Sequence, residues 1–141
     1  MRFMVIVKAS EESERGTLPA ETDLAAMGRF NEELVKAGVM LAGEGLQPSA
    51  KGARITFAAG NKRTVVEGPF AATRELVAGY WVLQTTTREE CIEWIKRAPF
   101  AAGEVVEIRQ LFEADDFAAS DPTGELRAQE QRLRQTVAAP Q

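Results

Sequence analysis

Two carboxylates stand where chemistry is conceivable. Glu44 lies between Gly43 and Gly45 at the end of an apolar run. Flanking glycines let a backbone approach a ligand, or they mark a bulge. A carboxylate in a partly apolar cleft has a raised pKa and can exchange protons near neutrality. Its structural alternative is a bulge residue paired with an arginine. Glu67 opens the turn Glu67-Gly68-Pro69-Phe70, which has a rigid proline and an apolar plug at Phe70. It could cap the following turn or line the same cleft as Glu44. If the two carboxylates meet and their pKa values are pushed apart, they form an acid–base pair. Arg54 and Arg109 could neutralise them or grip an anionic ligand as a fork. Tyr80, the one tyrosine, could bond a ligand or donate a proton. It could equally be a core aromatic with a satisfied hydroxyl.

Composition removes many other mechanisms. The 141 residues contain no histidine and one cysteine. That excludes a histidine base, the usual catalytic triad, a His-ligated metal, an internal disulfide and a cysteine-built zinc site. Cys91 has no histidine to activate it, and acidic Glu89 and Glu90 beside it raise a thiol pKa. A buried inert thiol is expected. Gly43-x-Gly45 does not continue as a dinucleotide fingerprint, because Pro48 takes the third glycine position. Glu113, Asp115 and Asp116 match no calcium loop. No cofactor and no metal are expected. With 17 basic and 21 acidic side chains, net charge is −4. This argues against a nucleic-acid partner, since phosphate neutralisation supplies that affinity.

The elements that must position these residues are readable. Phe3 to Val7 is a strand with apolar residues on both faces. Glu11 to Thr17 reads as a loop. Pro19 opens a helix whose stripe is Leu24, Met27, Phe30, Leu34 and Ala37, closed by Gly38. Arg29, Asn31, Glu32, Glu33 and Lys36 lie largely off that stripe. A strand from Val39 runs into Gly43-Glu44-Gly45-Leu46. Arg54–Ala58 and Thr64–Glu67 form a hairpin around Gly60-Asn61-Lys62. Residues 71–77 suggest a short helical turn. Gly79–Gln84 is a strand, and Thr87-Arg88-Glu89-Glu90 is a capping box before a helix that Pro99 stops. Glu104–Leu111 is the last strand.

Without the hairpin this order is βαββαβ, a ferredoxin-like α+β domain over residues 1–113. Both helices cross to one face of a four-stranded antiparallel sheet. The strand at the N-terminus and the one holding Tyr80 to Leu83 are apolar on both faces, so the second face would be a sticky patch. A homodimer with sheets face to face covers it. The alternative cover is the chain's own tail, residues 114–141, read as a linker and a marginal amphipathic helix on Leu126, Leu133 and Val137.

Four segments together resemble the YCII-related, or DGPF-domain, family. They are Met1-Arg2-Phe3-Met4-Val5-Ile6-Val7, Gly43-Glu44-Gly45-Leu46-Gln47-Pro48-Ser49, Glu67-Gly68-Pro69-Phe70-Ala71 and Gly79-Tyr80-Trp81. Glu67 replaces the aspartate of the name motif. The resemblance covers Met1 to about Phe112 and implies a ferredoxin-like dimeric α+β barrel. Smaller relatives resemble enzymes with a His–Asp pair, and one branch removes chloride from a chlorinated hydroquinone. That pair has no counterpart here. Some DGPF-type members are linked by gene association to extracytoplasmic-function sigma factors.

The function expected is small-molecule binding in a cleft, with cofactor-independent isomerase- or lyase-like chemistry by Glu44 and Glu67. Tyr80, Arg54, Arg109 and Phe70 would contact the ligand. The alternative is a non-catalytic ligand-sensing or accessory module acting on a protein partner. The first apolar run is too short for a signal-peptide core and no stretch is long enough for a membrane span, so the cytoplasm is the expected location.

Overall fold

The computed structural model describes residues 1–71 and 75–140. The chain forms two compact units, Met1–Gln110 and Leu111–Gln141. In the first unit, strand β1 (Arg2–Lys8) leads through one helical turn, α1 (Glu11–Glu14), into α2 (Glu21–Lys36) and β2 (Met40–Gly45). A 3₁₀ turn at Ser49–Lys51 precedes the hairpin strands β3 (Ala53–Phe57) and β4 (Arg63–Glu67). Then come β5 (Val77–Gln84), α3 (Arg88–Lys96) and β6 (Val106–Gln110).

The main sheet has the order β2-β5-β1-β6, and every pairing is antiparallel. This is the ferredoxin-like α+β arrangement, with the β3–β4 hairpin as a separate two-stranded sheet. Cross-strand partners share a face. Phe3 pairs with Leu83, Val5 with Trp81 and Ile108, and Gly43 with Trp81. These define the helix-side face. Phe3, Val5, Leu83, Phe30, Leu34, Val39, Trp81 and Cys91 form the buried core there. Ile6 pairs with Tyr80 and Glu107, Met4 with Val82 and Arg109, and Glu44 with Tyr80. These define the opposite face. Met4, Ile6, Tyr80 and Val82 are half-buried there.

Several boundaries differ from the sequence expectation, each for a local reason. The polar stretch read as a loop holds α1, because Ser10 and Ser13 cap each other: each side-chain hydroxyl accepts the other's backbone N–H. Helix α2 opens at Glu21 behind Ala20, two residues after Pro19, with no side-chain cap. Leu24 is 59% exposed, so the buried stripe is shorter than its spacing suggests. Ala37 is exposed as well. From α2, Met27 and Asn31 border a cleft. At α3 the Thr87 hydroxyl accepts the Glu90 N–H, while Glu90 reaches back to the N–H of Thr86. The turn expected over 71–77 falls partly on 72–74, outside the described residues, and Val77 opens β5.

The second unit contains a 3₁₀ helix at Ala114–Ser120, where a plain linker was expected, and α4 (Glu125–Ala138). Asp121 anchors α4. Its carboxylate accepts the backbone N–H groups of Leu126 and Arg127 and the Arg127 Nε–H. These bonds, the Arg127 backbone first, hold its pKa below the usual aspartate value.

Core position separates two leucines on one helix. Leu34→Ala is expected to cost about 3 kcal/mol in denaturant unfolding, as a large-to-small change in a closed core. Leu24→Ala is expected to stay within about 0.5 kcal/mol of wild type.

Candidate functional site

A cleft of ≈ 400 Å³ opens between the sheet and α2. Its floor owes its shape to glycine. Gly43 and Gly45 on β2 and Gly79 on β5 all face the helix side, Gly45 and Gly79 as direct cross-strand partners. A Cβ on Gly43 would lie 2.9 Å from Trp81 Cδ1 and 2.7 Å from Met40 Cε. Glycine there lets the Trp81 indole lie across β2. A Cβ on Gly45 would meet nothing within 4 Å, so that position opens onto free space. The floor is therefore bare main chain.

Apolar groups form the walls: Val7, Met27, Trp81 and Phe100. Trp81 is gripped edge-on by Phe30 and Phe100, with ring centroids at 5.9 and 6.0 Å. Asn31 is the polar group that α2 contributes. Its Oδ1 accepts the Trp81 Nε1–H at 3.0 Å. Indole nitrogen only donates, so this bond fixes which end of the amide faces Trp81. The Nδ2 group is the donor end of the amide, away from the indole. Sequence reading placed Asn31 off the buried stripe, yet it lies one turn after Met27 and one before Leu34. That spacing was the signal for it.

Glu44 and Tyr80 border the cleft, but alternation sends both side chains to the other face, where they are cross-strand neighbours. To the floor they contribute main chain. Arg109 pairs with Met4 and also stands on that face, bonded to Glu107 at 3.3 Å. Glu107 is held below the ordinary glutamate pKa by Arg109 and then Lys8. Glu67 lies at the end of β4 opposite Ala53, in the separate hairpin sheet, and does not border the cleft. Glu44 and Glu67 are both exposed. Arg54 and Phe70 are together, the guanidinium 3.9 Å from the ring centroid. Their contact is at the base of the hairpin.

The Glu67-Gly68-Pro69-Phe70 turn is a structural clasp. A Cβ on Gly68 would sit 1.7 Å from the Ser49 carbonyl oxygen, so no side chain fits. Ser49 Oγ accepts the Phe70 N–H at 3.1 Å and donates to the Glu14 carboxylate. That carboxylate also accepts the Ser49 N–H. The Gly68–Pro69 peptide is cis. Cys91 is fully buried on α3, and desolvation, then Glu90, pushes its pKa up to about 11. Among the described residues no group of His, Cys, Asp and Glu could hold a metal ion, and no helix is long and apolar enough to cross a membrane.

A sheet of this order carrying these segments defines a ferredoxin-like domain, and a sequence profile of the YCII-related domain matches residues 1–115. The chain belongs to the YCII-related family. Among curated proteins none matches. Among solved structures, the chain is similar to 5-chloro-2-hydroxyhydroquinone dehydrochlorinase from Burkholderia phenoliruptrix AC1100 in complex with 2,5-dihydroxybenzoquinone. Identity is 15% and the TM-score 0.40, over 82% of this chain and 98% of that one.

Three consequences are measurable. Gly68→Ala should destabilise by roughly 3 kcal/mol in urea unfolding, since backbone must yield to a new Cβ. Gly45→Ala, entering open space, should stay within about 1 kcal/mol of wild type. Iodoacetamide at about pH 8 should leave Cys91 unlabelled in the native protein and label it in urea. A native pKa near 11 against an ordinary 9.0 leaves stability intact below pH 9.0 and erodes it as pH rises towards 11.

Proposed function

We propose that this YCII-related protein binds a small, flat, mostly apolar molecule in the cleft between α2 and the sheet. The observation that carries this reading is the glycine floor beneath Trp81, with Asn31 fixed beside it. A floor without side chains accepts a planar group against main chain. Trp81 and Phe100 offer aromatic contact, and Asn31 Nδ2 offers an orienting hydrogen bond. A volume of ≈ 400 Å³ lies in the range of small-molecule sites. Among the described residues, inward-facing positions supply no titratable side chain, so binding and orientation fit this cleft better than proton transfer within it. Acid–base chemistry by Glu44 would act on the open face instead, beside Tyr80. A ligand-sensing or accessory role asks only for what the cleft already offers.

The protein would work as a homodimer, with the open sheet face against that of a second copy. Support comes from the apolar centre of that face, Met4, Ile6, Tyr80 and Val82, which none of the described helices of the Met1–Gln110 unit covers. An apolar sheet centre with a charged rim is the usual anatomy of an interface.

Cleft binding can be read from the two tryptophan indole N–H signals in a ¹H–¹⁵N NMR spectrum. Hydroquinone, catechol and indole serve as flat probes. The Trp81 signal should move on titration with at least one of them while Trp94 stays still. Gly45→Val should fill the cleft, keep the fold and abolish the shift. An unmoved Trp81 with all three probes, or an unchanged shift in Gly45→Val, contradicts the reading.

A further inference from the structure

The β3–β4 hairpin belongs neither to the cleft nor to the main sheet. It is a two-stranded sheet of its own, and every residue of both strands is exposed. Two strands alone are marginally stable in water, and a third strand stabilises them. The base of this hairpin is nonetheless held firmly. Gly68 donates its N–H to the Gly52 carbonyl, and Ser49 ties the next turn to Glu14 and Phe70. The arm is therefore presented already formed, so a partner need not order it on binding.

The hydrogen-bond pattern fixes which groups face outward. Antiparallel partners alternate between bonded and non-bonded pairs. Ala58 donates to the Lys62 carbonyl and Gly68 to that of Gly52, so Thr56–Thr64 and Arg54–Val66 are the bonded pairs between them. Ile55 and Phe57 on β3 then turn their N–H and C=O groups away from β4, and Arg63 and Val65 turn theirs away from β3. Among the described residues no hydrogen bond reaches the outward groups of Ile55 or Phe57. The two edges differ in their side chains. Strand β4 ends in Glu67, and its Arg63 bends back onto the carbonyls of Gly60 and Lys62. Strand β3 has no carboxylate. Lys51 precedes it and Arg54 lies within it, stacked on Phe70 with its in-plane N–H donors unpaired among the described residues. Alternation puts Ile55 and Phe57, 55% and 71% exposed, on one face and Arg54 with Thr56 on the other.

Charge selects the occupant. Over residues 51–67 four cations stand against one carboxylate, in a chain whose net charge is −4. A second copy's β3 laid along this edge would gather like charges, which is destabilising. Phosphates of a nucleic acid or a lipid surface would meet the cations but would donate nothing to the outward carbonyls of Ile55 and Phe57. We propose that the open edge of β3 takes an extended, acidic peptide segment of a partner protein as a third strand. The segment's main chain pairs with Ile55 and Phe57. Its apolar residues lie beside those two side chains, and the acidic residues that alternate with them lie on the Arg54 face.

The probe is a fluorescent peptide about eight residues long that alternates valine with glutamate. Anisotropy with the full chain should show saturable binding. Lysine in place of glutamate, or the same residues sorted into a valine block and a glutamate block, should bind roughly tenfold more weakly or worse. The amides of Ile55 and Phe57 should exchange fast in the free protein and slow when the peptide binds. The Trp81 indole signal should stay still, which separates this edge from the cleft. Ile55→Pro removes one outward N–H and no bond within the hairpin, and should abolish binding. Val65→Pro does the same on the opposite edge and should leave binding intact. Arg54→Glu should weaken it roughly tenfold and keeps the test decisive if circular dichroism shows a proline variant misfolded. No binding of the alternating peptide, equal binding of its lysine version, an unaffected Arg54→Glu or a loss that a folded Val65→Pro shares overturns the proposal. Tighter binding of single-stranded DNA or of phosphatidylglycerol vesicles than of the peptide overturns it as well.

Discussion

The register between β2 and β5 is the constraint on which the rest depends. Gly43 opposite Trp81 and Glu44 opposite Tyr80 decide which groups share a space. A slip of one residue would carry the glycines to the opposite face and bring the carboxylate under α2. The packing around Trp81 resists that slip. Its ring lies against Gly43, is gripped by Phe30 and Phe100, and donates its N–H to Asn31. A slip would carry the indole away from its seat on Gly43 and from the Asn31 oxygen that accepts its N–H. Indole anchoring and register therefore support each other.

The same register separates two kinds of surface. On the helix side, missing side chains make room: three glycines leave main chain where a ring could rest. On the far side, present side chains make contact, with an apolar centre bounded by Glu44 at one edge and Lys8, Glu107 and Arg109 at the other. The proposed ligand site and the proposed subunit interface thus lie back to back across one layer of backbone. Changes at Gly43 or Gly45 act on the first, and changes at Glu44 act on the second, although the residues are adjacent.

Much of the fold was legible because its signals are local. The apolar run from Phe3 to Val7, the stripe at Met27, Phe30 and Leu34, and the Thr87–Glu90 cap each state their element within a few residues. The glycines around Glu44 were legible as a place of close approach. The face on which Glu44 would emerge was not, because register depends on which residue of β5 it meets. The role of Gly68 was equally hidden. It follows from the Ser49 carbonyl lying where a Cβ would be, a long-range contact that the turn's own residues do not encode. Glu67 drew attention for its charge, whereas the sequence around it serves a clasp of Ser49, Glu14 and Phe70. Asn31 was passed over for being polar on an amphipathic helix. Its partner is a tryptophan donor far along the chain, and only a buried indole N–H makes an asparagine necessary there.

Nuclear Overhauser contacts of the Trp81 and Tyr80 side chains test the register directly. The account predicts that the Trp81 indole contacts Phe30, Asn31 and Phe100, while the Tyr80 ring contacts Ile6 and the Glu44 methylenes. A Tyr80 ring in contact with Met27 or Phe30, with Trp81 facing Ile6, would contradict it.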